Sequence, residues 1–129
     1  MDFPVTAGVF QPLNGGSAAY KSQDSSGNWS AIRNGLPSTE VSALAIDAQT
    51  PSTIYAASNA TSLPVTDSAR IFKSTDGGAN WRILSLQNVF MINALAVDPK
   101  DSNIVYAGVF TGVYKSTDGG DSWRELTSK

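Results

Sequence analysis

The sequence predicts an all-β repeat protein, on three observations. A ten-residue phrase occurs in two close copies, Phe72-Lys73-Ser74-Thr75-Asp76-Gly77-Gly78-Ala79-Asn80-Trp81 and Tyr114-Lys115-Ser116-Thr117-Asp118-Gly119-Gly120-Asp121-Ser122-Trp123. A looser third copy runs from Tyr20 to Trp29 with its Trp in register. Upstream of the two close copies, Ser42-Ala43-Leu44-Ala45-Ile46-Asp47 matches Asn93-Ala94-Leu95-Ala96-Val97-Asp98, and Ile54-Tyr55-Ala56-Ala57 matches Val105-Tyr106-Ala107-Gly108. Self-similarity at a spacing of about 40 to 45 residues is the signature of stacked supersecondary units, each unable to bury its own apolar face alone.

Each copy of the phrase predicts a hairpin. Lys and Ser end a strand, Asp and the small pair make the turn, and Trp opens the return strand. The Asp accepts hydrogen bonds from backbone N–H groups just after it, and Gly supplies the positive φ such a turn needs. The Trp buries a large apolar surface beneath the turn. Ser22, Asp24 and Trp29, then Ser74, Asp76, Gly78 and Trp81, then Ser116, Asp118, Gly120 and Trp123 are therefore assigned structural roles. The first copy has Ser25 and Ser26 in place of the Gly pair, with Gly27 one place later, which predicts a different turn there. The segments before the phrase complete a unit of four short strands. Its first strand, apolar at nearly every position with alanines on one side, predicts a strand buried on both faces. Thr50-Pro51-Ser52 and Pro99 to Asn103 are the turns after it.

The pattern Ser-x-Asp-x-Gly-x-x-Trp resembles the Asp box, or BNR repeat, of β-propellers such as sialidases, two-propeller xyloglucanases, sortilin-type receptors and photosystem assembly-factor-like proteins. From Ala94 through Gly108 to the box, the third repeat is similar to the xyloglucanase and assembly-factor repeats along its whole length. The resemblance implies a β-propeller segment of about three four-stranded antiparallel blades, at about residues 4–36, 40–88 and 91–127. It also implies that the boxes are structural turns placed away from the ligand face. Val5 to Phe10 aligns with Val105 to Phe110, so the first blade is expected to lack its inner strand. Propellers close with about four to eight blades, so a chain of this kind is expected to need more blades than it carries. A dimer closing a six-bladed ring, the remainder of a longer propeller and an open arc with capped ends are the three solutions.

Composition narrows the function classes. The chain has 129 residues, a formal net charge of -2 and 16% charged residues. With no run of Lys or Arg, nucleic-acid binding is disfavoured. The absence of Cys and His removes thiolate sites, the commonest metal ligand and the commonest general base. No cofactor and no metal is expected. Asp118-Gly119-Gly120-Asp121 lacks the alternating ligands and closing Glu of a calcium loop. No apolar run reaches the length of a membrane span, and Met1 to Gln11 is not patterned as a signal peptide. The Ser/Thr/Asn/Gly-rich, Lys-poor composition is similar to that of exported repeat proteins of the cell envelope or exterior.

Strands that alternate in direction put the first-to-second and third-to-fourth connections of every unit on one face, and the other connections on the opposite face. The latter differ most between repeats, with the 59–69 insertion set against Thr111 and Gly112, and varied loops on a repeated scaffold are where binding is expected. Asn14, Glu40, Asp67, Arg70, Phe90 and Phe110 are the candidate binding residues there. Phe90 with Met91 is either a ligand platform or packing between blades. Glu40 and Asp67 are either the carboxylate pair of a glycosidase or solvated loop charges. Arg70-Ile71-Phe72 departs from the sialidase Arg-Ile-Pro motif, since Phe72 stands where Pro belongs, and it aligns with Gly112-Val113-Tyr114 as plain strand. The expected function is a non-catalytic binding or assembly scaffold, not an enzyme, that completes its ring by self-association. The alternative is a carbohydrate-binding, lectin-like module or a fragment of a glycoside hydrolase propeller.

Overall fold

A computed structural model describes residues 41–59, 69–84, 86, 89 and 91–126, and, as backbone, residues 9–12, 19–22 and 29–32. Among these residues the chain is all β: two four-stranded antiparallel sheets follow one three-stranded sheet. The first holds β1 (Val9–Pro12), β2 (Ala19–Ser22) and β3 (Trp29–Ile32). The second is β4 (Val41–Ile46), β5 (Ile54–Ser58), β6 (Arg70–Ser74) and β7 (Arg82–Ile83). The third is β8 (Ile92–Val97), β9 (Val105–Val109), β10 (Gly112–Ser116) and β11 (Arg124–Leu126). Strands pair in chain order within each sheet, because every connection is short enough for a hairpin or a compact loop.

The repeat in sequence is a repeat in register. Tyr55 pairs with Lys73 and Tyr106 with Lys115, and both first strands carry the same irregularity, between Val41 and Ala43 and between Ile92 and Ala94. The first sheet departs from the sequence alignment. Val9 pairs with Ser22 and Phe10 with Lys21, so Val9, not Val5, holds the position of Val105. The apolar run Val5 to Phe10 imitates Val105 to Phe110, but the strand is set by its pairing with β2, which places it four residues later.

Period-2 alternation gives the second sheet two apolar faces. One face of the second sheet gathers Val41, Ile54, Ala56, Phe72 and Trp81, all buried. Its other face puts Tyr55, Ala57, Ile71 and Leu84 against Ile92, Val105, Ala107 and Val109 of the third sheet, with Tyr114 and Trp123 packed alongside. The first strands are less buried than their composition implies. β4 is half-buried after Val41, and Asn93, Ala94 and Ala96 of β8 are exposed. Both are edge strands of their sheets, and no fourth sheet lies against β8 among the described residues.

Candidate functional site

Two ends of the sheets are built differently, and each is tied together across its own connections. At one end, the Gly77 N–H donates to the Ser52 carbonyl and the Gly119 N–H to that of Asn103. At the other, the Ala69 N–H donates to Val89 O and the Phe110 N–H to Met91 O, while Asn59 Oδ1 accepts from the Ile92 N–H at 2.7 Å. The turns at Asp76 and Asp118 occupy the first end, and Asn59, Ala69, Met91 and Phe110 the second.

The repeated turns are closed hydrogen-bond systems. Buried Ser74 donates its hydroxyl to Asp76 Oδ1 at 2.8 Å and accepts from the N–H of Gly78 at 2.8 Å. Asp76 accepts from the Asn80 backbone at 2.9 Å and from its side-chain amide at 3.0 Å. Trp81 Nε1 donates to Gly78 O at 3.1 Å. Ser116, Asp118, Ser122, Gly120 and Trp123 repeat the arrangement, with a Ser hydroxyl in place of the Asn amide. Gly77 and Gly78, like Gly119 and Gly120, have positive φ, the left-handed backbone that Gly adopts at least cost.

These bonds stabilise the charged form of each carboxyl. Asp76 is pulled down to about 2, first by the side-chain amide and then by the backbone N–H of Asn80, with the Ser74 hydroxyl adding to it. Asp118 is pulled down to about 2 by the Ser122 hydroxyl, the Ser122 N–H and the Ser116 hydroxyl. A carboxyl depressed on folding contributes stability that is complete above its unfolded value near 3.8 and is lost as pH falls through the folded value. The thermal midpoint is therefore expected to stay flat from neutral pH down to about 4 and to fall between there and pH 2. In Asp76→Asn/Asp118→Asn that acid limb becomes shallower, which melting curves across the range would show. Both oxygens of each carboxyl accept hydrogen bonds from within their own turn. Among the described residues no three acidic side chains gather closely enough to hold a metal ion.

The joint between the second and third sheets adds polar contacts that the sequence reading did not assign. The Tyr55 hydroxyl and the Lys73 ammonium both donate to the Gly119 carbonyl, at 3.1 and 2.9 Å, and Lys73 Nζ lies 5.4 Å from the Tyr55 ring centroid. Burial, reinforced by the charge of Asp47, pushes the Tyr55 phenol up to about 12. Burial, then the Arg82 charge, pushes Lys73 below its usual value. Arg82 also reaches Asp121 at 3.1 Å, a bridge exposed on both sides and so of little weight. The recurrence of Tyr and Lys at matching places in both repeats was the available signal.

At the loop end, two candidates are described. Phe110 is 79% exposed and Met91, joined to it through the backbone, is 45% exposed. Arg70 opens β6, paired with Ser58, and is exposed at the same end. Asn14, Glu40, Asp67 and Phe90, together with Asp24 of the first turn, lie outside the described residues. Ser22 and Trp29 are described as backbone, at the end of β2 and the start of β3.

With the geometry in hand, known structures give the fold its relatives. No protein-family model matches the sequence, and no curated protein is significantly similar to it. Among solved structures, a GH74 enzyme from Niastella koreensis is 26% identical with a TM-score of 0.76, covering 93% of this chain and 20% of its own. The GH74 xyloglucanase from Xanthomonas campestris is 24% identical with a TM-score of 0.67, over 81% of this chain and 17% of its own. YCF48 bound to a D1 peptide is 11% identical with a TM-score of 0.64, over 96% of this chain and 44% of its own.

The fold is of the β-propeller type. It is shared with GH74 enzymes and YCF48, and the chain spans less than half the length of each. The expectation that the chain is not an enzyme is overturned by this comparison, because the fold it shares is that of catalytic GH74 proteins. Glycosidic bonds are cleaved by pairs of carboxyl groups, so the absence of His has no bearing on that chemistry.

Proposed function

We propose that this chain is an Asp-box segment of a carbohydrate-active β-propeller, and that its loop end binds a polysaccharide. Phe110 carries the reading: an aromatic ring left 79% exposed beside a 45% exposed Met91, at the end opposite the internally satisfied turns. Large exposed apolar side chains placed together mark interaction surfaces. The flat C–H face of a pyranose ring packs against an aromatic ring, while its hydroxyls take hydrogen bonds from surrounding polar loops. The likeness to a xyloglucanase supports a β-linked glucan as the ligand class. Arg70, exposed at the same end, supplies donors. Glu40 and Asp67 are the carboxylates by which a glycosidase activity of the longer enzymes would be sought here.

Calorimetric titration with a xyloglucan oligosaccharide tests the binding. Binding by the unaltered chain is expected to weaken about 10-fold or more in Phe110→Ala, since a stacked ring contributes on the order of 1 to 3 kcal/mol. A Phe110→Trp variant should retain binding. Equal affinity for the unaltered chain and Phe110→Ala, or no heat at millimolar ligand, would remove the proposal.

A further inference from the structure

One row of side chains crosses both four-stranded sheets unchanged. In the second sheet strand pairing sets Ala45, Tyr55, Lys73 and Arg82 side by side, and in the third it sets Ala96, Tyr106, Lys115 and Arg124, each row on one face of its sheet. The first row is filled. The Tyr55 hydroxyl and the Lys73 ammonium donate to the Gly119 carbonyl, and Arg82 reaches the Asp121 carboxylate two residues on. Between them Gly120 comes so close that a Cβ there would strike Leu84 and the Tyr55 ring. The row thus takes three successive residues: a carbonyl, a residue with no side chain and a carboxylate.

The second row offers the same donors. Lys115 Nζ stands 5.7 Å from the Tyr106 ring centroid, as Lys73 Nζ stands 5.4 Å from that of Tyr55, so the two pairs are set alike. Leu126, paired with Val113, holds the place of Leu84 beside Ile71. Tyr106 and Lys115 are half-buried and Arg124 is exposed. Among the described residues none of these three side chains donates a hydrogen bond.

We propose that Tyr106, Lys115 and Arg124 form a binding site for a Gly-Gly-Asp turn of a partner protein. Tyr106 and Lys115 donate to the carbonyl of the first Gly, and Arg124 pairs with the Asp carboxylate. Charge sets the class of occupant, since two cations beside a hydroxyl call for acceptors and negative charge. The filled row sets its shape, since the second Gly must pass the Tyr106 ring and Leu126 without a side chain. The corresponding turn of a second copy is already engaged, because its Gly119 is held by its own second sheet. Lys115 lies at the turn end of β10, opposite Phe110, so the inference is independent of glycan binding.

Chemical shifts of the isotopically labelled chain, titrated with a cyclic peptide of the sequence of residues 116–123, test it. Saturable changes are expected on Tyr106, Lys115, Arg124 and Leu126. Lys115→Met keeps the aliphatic stem, removes the charge and should weaken binding about 10-fold, the worth of a charged hydrogen bond, with an unchanged circular-dichroism spectrum. In the peptide, Gly120→Ala should abolish the changes. Asp121→Asn in the peptide should weaken binding about 2- to 5-fold, as loss of an exposed ion pair does, and flatten its dependence on salt. No change along the row at millimolar peptide, or equal affinity for the unaltered chain and Lys115→Met, would overturn the proposal. Changes along the row on concentrating the chain alone would give the site to a second copy and overturn it equally.

Discussion

Trp81→Ala is expected to lower the unfolding free energy by about 3 to 5 kcal/mol, the range for a large aromatic removed from a core. Trp81 is 8% exposed and packs with Val41, Ile54, Ala56 and Phe72 on one face of the second sheet. Its Nε1 donates to the Gly78 carbonyl, so truncation also leaves a buried carbonyl without its partner. Denaturant unfolding measures the loss directly. Trp123→Ala should cost less, because Trp123 is half-buried and packs at the rim of its cluster. Equal and small losses at both positions would contradict the role of the turn Trp as a core residue.

Gly120→Val is the second large effect. Gly120 has φ near 96°, and a Cβ there would stand 2.5 Å from Leu84 Cδ1 and 3.4 Å from Tyr55 Cε1. A β-branched residue in that backbone region costs about 1 to 3 kcal/mol, and forcing the neighbouring side chains apart costs about 1 to 3 kcal/mol more. The leucine methyl can move, but the Tyr55 ring is held by its bond to Gly119. The variant should therefore loosen the joint between the second and third sheets. Hydrogen exchange would show that as faster exchange of β5 and β6 amides as well as those of β10. Gly108→Ala is the matched control: its Cβ would meet Ala94 Cβ at an ordinary 3.6 Å, and the equivalent position of the second sheet is already Ala57. That change should be neutral to within about 1 kcal/mol.

Strand number and order in the second and third sheets were legible because the chain states them twice. Any register that satisfies Ala43, Ala45 and Tyr55 also satisfies Ala94, Ala96 and Tyr106, and a slip by one residue would turn every apolar side chain to the wrong face. The first strand was misplaced because Val5 to Phe10 matches Val105 to Phe110 in composition, while pairing distance from the turn selects Val9. Contacts between sheets were not legible. Periodicity reports which side of a strand is apolar, not what lies against it, so the grip of Tyr55 and Lys73 on Gly119 has no signature in the pattern. The same limit explains β8, whose alanines predict burial that needs a covering sheet. At the loop end, Phe110 was legible as a candidate because it follows an aligned strand. Asn14, Glu40, Asp67 and Phe90 stand in connections of unequal length, where no repeat fixes a partner.

The most direct measurement on the proposed function is a titration of isotopically labelled protein with a xyloglucan oligosaccharide, followed by amide chemical shifts. The proposal predicts that the largest changes fall on Met91, Phe110, Thr111 and Gly112, with the turns at Asp76 and Asp118 undisturbed. Changes concentrated on those turns, or none at saturating oligosaccharide, would contradict it.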